Sequence, residues 1–323
     1  MRLTVSLLLS VSLFGCVDAG LCEPIASTTL DQVPATLSAT GLYAAGSSSV
    51  LAANVKAYRP RFELWADGAE KSRWILLPPG TRIDTANMDF WQFPQGTKVW
   101  KEFRVDGKRV ETRLMQKFGA GREDWLLVSY LWAEDQADAT PVPEGVEGAL
   151  GTTHTVPSAE DCQACHAHVA SHVLGFAAIQ LNHDAPAGEL NLAALVAADL
   201  LTEAPTTSLE IPGTQTEQAA LGYLHANCGN CHNQARIDNE AKLRCENPLS
   251  GTDLLLRVGK LGSTKETPTY DTTGHFAQAP FSSLAKRVAR PASEEGSMPP
   301  LGRSTVDQAA VDTLNAWVKE QAK

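Results

Sequence analysis

The stretch Lys98-Val-Trp-Lys-Glu-Phe-Arg-Val105, Asp106-Gly107, Lys108-Arg-Val-Glu-Thr-Arg-Leu-Met-Gln116 sets the fold class of the first half of the chain. Val99, Lys101, Phe103 and Val105 alternate with Trp100, Glu102 and Arg104, the period of a strand with two distinct faces. Asp-Gly between two such runs favours a type I′ turn, because both central positions need φ > 0. A third run, Trp125 to Trp132, follows. Six of the seven tryptophans lie between Trp65 and Trp132, punctuated by Pro78-Pro79-Gly80 and Pro94-Gln95-Gly96. A lone hairpin is marginal in water, so these strands belong to a larger assembly. The expectation is an all-β, sandwich-like domain over residues 58–140.

The pattern changes after Pro141–Gly151, a Pro- and Gly-rich linker. Leu190–Leu201, Thr216–Asn227 and Thr305–Gln321 carry apolar residues at helical spacing. Asn233 to Pro280 is rich in loop formers. A chain of 323 residues exceeds what one core usually organises. Residues 152–205 and 215–323 read as two further, mainly helical segments.

A hydrophobic share of 43% with 20% charged residues is ordinary globular composition and excludes disorder and a polytopic membrane protein. A net charge of -10 argues against nucleic acid as a partner, which would require a basic patch. A soluble partner would more naturally offer the chain a Lys-rich docking face. Residues 1–15 have the form of a signal peptide, with Arg2 followed by an apolar run too short to span a bilayer. Leu13-Phe14-Gly15-Cys16 resembles a lipobox, which would lipidate Cys16 and anchor the mature chain to a membrane. Simple secretion, with cleavage near Ala19-Gly20, is the alternative. Either way the mature chain is expected in the periplasm of a Gram-negative bacterium, with residues 16–57 as a lipidated tether and lead-in.

The chemistry lies in two motifs, Cys162-Gln-Ala-Cys165-His166 and Cys228-Gly-Asn-Cys231-His232. In CxxCH the thiols add to the two vinyl groups of a haem, and the following His lies beneath the iron as proximal ligand. CxxC pairs also bind zinc or exchange disulfides, but usually in the cytosol and without a His after each pair. Two covalently bound haem c groups are therefore the expected cofactors. Of the remaining cysteines, Cys22 and Cys245 either pair in an oxidising compartment or are unrelated thiols.

Met298, in Ser297-Met298-Pro299-Pro300 just ahead of the last helix, is the candidate sixth ligand of the second haem. The first haem has no such partner, since no methionine lies between His166 and Met298. Met115 and His154 lead the candidates, with Met88, His183 and His225 behind them. An open coordination position is the third possibility. His225, one helical turn before Cys228, should approach a haem edge or else cap a helix. Arg113 and Arg303 match haem propionates in charge.

Several stretches are similar to a little-characterised family of exported bacterial dihaem c-type cytochromes that join a Trp-rich β region to two haem segments. They are Leu64-Trp-Ala-Asp-Gly-Ala-Glu-Lys71, Leu77-Pro-Pro-Gly80, Phe93-Pro-Gln-Gly-Thr97, Glu111-Thr-Arg-Leu114, Gln180-Leu-Asn182, Tyr223 to His232, and Met298-Pro-Pro-Leu301. The resemblance spans about Tyr58 to Val318. It implies an exported electron-transfer protein and supplies no substrate. The expected architecture is thus an α+β multidomain chain, with the sandwich-like domain followed by mainly α, cytochrome c-type haem domains. Two other functions compete with electron carriage. One is a dihaem peroxidase-like oxidoreductase acting at the first haem. The other is a module that binds a ligand or partner through the Trp-rich region.

Overall fold

The computed structural model describes residues 33–167, 169–233, 252–270 and 281–321. Residues 1–15, expected to be a signal peptide, and Cys16, Cys22 and Cys245 lie outside the described residues.

The opening hairpin forms as its alternation dictates. β3 (Lys98–Val105) and β4 (Lys108–Lys117) pair antiparallel around Asp106 and Gly107, at φ 49° and 78°. β1 (Lys56–Tyr58), β2 (Glu70–Leu76), β5 (Trp125–Trp132) and β6 (Ala139–Pro141) extend the sheet on either side. β7 (Glu189–Leu190) completes it in the order β6-β5-β4-β3-β2-β1-β7. All pairings are antiparallel except β1 with β7, where Ala57 and Tyr58 lie parallel to Glu189 and Leu190.

This overturns the expectation of an all-β sandwich followed by separate haem domains. Among the described residues the named strands form one mixed sheet, and its last strand comes from the chain beyond the first CxxCH motif. The same segment is stitched to the β region again at Ile83, whose amide donates to Leu200 O (2.8 Å) while its carbonyl accepts from Thr202 N (2.9 Å). The physical reason lies in what covers the sheet. β5 reads Trp-Leu-Leu-Val-Ser-Tyr-Leu-Trp and is buried along nearly its whole length, as a strand must be when both faces are covered. The covers are not a second sheet.

On one face lies the lead-in. Leu37, Leu42, Tyr43 and Val55 pack on Trp100, Leu114, Val128 and Trp132. Trp100 Nε1 donates to Thr40 Oγ1 at 3.0 Å, and Leu37 N to Ala139 O at 2.9 Å. Residues 33–55 are therefore part of the globule rather than a tether. On the other face, Ile75, Val99, Met115 and Leu127 share a core with Cys162, Phe176, Ile179, Leu181 and Leu195 from the segment that carries the first CxxCH motif. Its helices α1 (Ala159–His166), α2 (Ala178–Leu181) and α3 (Leu192–Ala197) are too short to enclose a core of their own. They are laid on the sheet instead. The predicted helix over Leu190–Leu201 accordingly splits into β7 and the short α3.

The second motif follows α4 (Gln215–Asn227), whose capping box joins Thr214 and Glu217. α4 packs with α5 (Phe281–Ala289) and α6 (Gln308–Gln321) around Leu224, Leu254, Val288, Leu314 and the fully buried Trp317. It also meets the sheet-centred core through Leu221 and Phe62. A Cβ on Gly222 would lie 2.1 Å from the Phe62 ring, so only glycine lets the loop before β2 close on this helix.

Candidate functional site: two converging CxxCH motifs

α1 begins at a capping box in which Ser158 Oγ accepts from Asp161 N (3.1 Å) and Asp161 Oδ2 accepts from Ser158 N (3.0 Å). From this fixed start Cys162, Cys165 and His166 fall at i, i+3 and i+4, on one face of the helix. Cys162 is buried beside Ser129 of β5, and burial pushes its thiol up to about 11. Burial also raises Cys165. His166 Nδ1 stands 2.6 Å from His172 O. A carbonyl can only accept, so Nδ1 carries the proton and Nε2 keeps its lone pair. Burial pushes His166 down to about 4, which keeps the ring neutral. His172 returns the contact, its Nδ1 donating to His166 O at 2.9 Å. A metal-binding histidine needs this arrangement, with the far nitrogen anchored and the near one available.

The second motif is a turn rather than a helix. Cys228 caps α4 and its carbonyl accepts from His232 N at 2.8 Å. Burial pushes Cys228 up to about 12, and burial followed by the neighbouring Cys165 thiol pushes Cys231 up to about 11. His232 Nδ1 is buried and has no hydrogen-bond partner among the described residues. His232 and Met298 share a neighbour in Arg287. The guanidinium helps to lower His232, after burial, and the Arg287 carbonyl accepts from Met298 N at 3.0 Å. The Met298 loop is tied down by buried Arg303, which donates to Pro299 O (3.2 Å), Val288 O (2.8 Å) and Arg290 O (2.5 Å).

Cys165 is close enough to add to the upward push on Cys231, so the second cysteines of motifs 66 residues apart in the chain lie within electrostatic reach of each other. A side-chain clasp ties the second motif to the loop before β2, in the sheet on which the first motif rests. Asn227, immediately before Cys228, accepts from Trp65 N at 2.7 Å and donates to Glu63 O at 3.1 Å. No family model, curated protein or solved structure matches the chain. The site is therefore read from its own chemistry. Burial holds all four motif thiols in the neutral form. Thiol exchange would require lowered pKa values, whereas a thioether sulfur carries no charge and suits an apolar setting. Among the described residues no three His, Cys, Asp or Glu side chains converge as ligands of a bare ion. A haem iron takes four ligands from its macrocycle and asks the chain for only one or two.

The other candidates are distributed as follows. His154 is buried, but its Nε2 is engaged by Glu111 Oε2 at 2.7 Å and its ring lies against Phe103. Met115 is buried in the same core as Cys162. His225 accepts from Leu256 N through Nδ1 at 3.1 Å; in the neutral ring this puts the proton on Nε2, the nitrogen a ligand would need bare. Burial pushes this ring, too, down to about 4. His183 faces carbonyls with both nitrogens, Asp184 O and Arg59 O, each at 2.7 Å. Arg303 serves the Met298 loop rather than a propionate. Trp91, Trp100, Trp125 and Trp132 are among the most buried side chains, which removes them as a docking surface.

Sequence reasoning missed a row of cations. Arg73, Lys101 and Arg113 stand directly opposite one another across β2, β3 and β4, with Ser129 next in line on β5. Lys71 lies one row away. Glu63 pairs with Lys71 (3.3 Å) and Arg73 (3.1 Å), and Glu111 takes Arg113 through both oxygens (2.6 and 2.9 Å). Lys101 Nζ makes no hydrogen bond among the described residues and rests 5.0 Å over the Phe103 ring. Spacing in the chain gives no hint of the row, because it exists only through strand register.

Proposed function

We propose that the chain is an exported dihaem c-type cytochrome that transfers electrons between two adjacent haems. Cys162, Cys165 and His166 would hold one, and Cys228, Cys231 and His232 the other. The observation that carries this reading is the pair of His-terminated CxxC motifs, one on α1 laid against the sheet and one at the end of α4, with Cys165 and Cys231 within electrostatic reach. Covalently held haem supplies an iron centre that takes up and releases one electron. The chain contributes position and electrostatics. His166 offers Nε2 because His172 O fixes its proton on Nδ1. Met298, held by Arg287 O and the Arg303 clasp, is the sixth ligand of the second site, and a thioether there favours the ferrous state. At the first site Met115 and His154 are the candidates, and His154 would have to leave Glu111 to serve.

Export through residues 1–15, lipidation at Cys16 and docking of a Lys-rich redox partner on the acidic chain complete the proposal. No described helix is long and apolar enough to cross a membrane.

The test is expression with its leader in a host that matures c-type cytochromes. Intact mass should show two covalent haems, and replacing either cysteine pair with alanine should leave one. A purified chain with no haem, or with zinc held by the cysteines, sinks the reading. Rapid binding of cyanide or peroxide at the first ferric haem would move the protein to the peroxidase class.

A further inference from the structure

We propose that Arg73, Lys101 and Arg113, with Lys71 beside them, form the seat for the two propionates of the first haem. This rests on the dihaem reading and adds the orientation of that haem.

The first argument is the cost of the row. Like charges directly opposite on neighbouring strands repel, and here three cations stand in register across three strands. Their sites are shielded from solvent: Arg73 is buried, and Lys101 and Arg113 are half-buried. Such a cluster needs anions near it. The chain supplies two, Glu63 to Lys71 and Arg73, and Glu111 to Arg113. Glu63 and Glu111 answer Lys71, Arg73 and Arg113, and Lys101 is left without an ion-pair partner among the described residues. Burial, then Arg73 and Arg113, push its ammonium well below the usual lysine range, and an anionic group beside it would restore the charge. Asp161, the other carboxylate near Cys165, is engaged in the Ser158 capping box.

The second argument is place. α1 packs on β5, where Ser129, next in line to Arg113, lies beside Cys162, and Arg113 and Lys101 are close enough to act electrostatically on Cys165. The row therefore faces the first motif. On the same face of the sheet the next row is apolar, with Ile75, Val99, Met115 and Leu127 in register. That apolar row shares its core with Cys162, so the cations border the core that holds the first motif. Lys101 is the decisive member, being the one whose ammonium has no hydrogen bond among the described residues.

The experiment uses the holoprotein and a redox titration that resolves the two haems. A cation near the iron favours the ferrous state. Lys101→Met should therefore weaken reduction of the first haem about tenfold, a fall of ~59 mV for one electron, and leave the second unchanged. Lys98→Met makes the same charge change on the same strand, but Lys98 is on the opposite face, bonded to Thr40 O, and the first potential should hardly move. Arg73→Gln is the second variant, to be read if Lys101→Met does not accumulate; its Glu63 partner is partly exposed and tolerates the loss. Two covalent haems with the first potential unmoved by either substitution would overturn the propionate seat alone. A wild-type chain without covalent haem would overturn the dihaem reading itself.

Discussion

The side-chain oxygen of Asn227 accepts a 2.7 Å hydrogen bond from the backbone amide of Trp65, and this pair fastens the second CxxCH motif to the loop in front of β2. The same loop carries Glu63, counter-ion to Lys71 and Arg73, and Leu64, whose carbonyl accepts from Lys71 Nζ. A disturbance at Asn227 should therefore be felt at both motifs. Asn227→Ala removes a hydrogen-bond acceptor and a donor at a half-buried site and should cost about 1–3 kcal/mol in thermal or chemical unfolding. Asn227→Asp keeps the acceptor and should cost less. Equal stability of Asn227→Ala and wild type would show the clasp to be idle.

Gly222 and Phe62 form a second, purely steric link. Gly222→Ala places a methyl 2.1 Å from the Phe62 ring and should destabilise by about 1–3 kcal/mol. Phe62→Ala alone leaves a cavity, and the double variant should be more stable than the sum of the single losses predicts. Additive losses in a denaturation series would contradict the packing.

Met298 and Arg303 act on one loop in different ways. Met298→Ala should lower the second haem's potential and abolish its sulfur-to-iron absorption band. Arg303→Gln leaves the thioether in place but removes charged donors from Pro299, Val288 and Arg290 carbonyls. It should weaken the band and lower stability by about 2–3 kcal/mol. A full-strength band in Met298→Ala would rule out that ligand.

The lead-in should release in acid. Asp138 accepts from Ser38 Oγ (2.5 Å), Ser38 N (3.1 Å) and Ala139 N (2.8 Å). Its modest burial acts upward, but these bonds prevail and hold its carboxyl below the usual range. A lowered folded-state pKa gives stability that is present above the unfolded value near 3.9 and is lost as pH falls through the folded value. Hydrogen exchange at Leu37 N, bonded to Ala139 O, should therefore accelerate below about pH 4 beyond the intrinsic trend. Asp138→Asn, which cannot titrate, should not show the extra acceleration.

What the sequence disclosed was local. The Asp106-Gly107 hairpin, α4 and the last helix all have their periodicity within a dozen or so residues, and CxxCH is itself a local spacing. What it concealed depends on long-range pairing. β7 has two residues, too few for any pattern, and its partner lies over a hundred residues earlier. The lead-in looked like a tether because Ser, Thr and Gly surround its few apolar anchors, although Leu37 and Leu42 are fully buried. Alternation in the strands correctly marked two faces but could not say whether strands, helices or irregular chain would cover them. Arg73, Lys101 and Arg113 are unremarkable one at a time and become a site only in register.

The parallel pairing of β7 with β1 sets a limit on dissection. A fragment ending in the Pro141–Gly151 linker would keep six strands but leave the outer edge of β1 bare, the kind of edge that recruits strands from other molecules. The complementary fragment would lose the sheet on which α1 to α3 rest. The two halves cannot be exchanged as cassettes. Any natural shuffling of this chain must carry the β region and the first cysteine motif together.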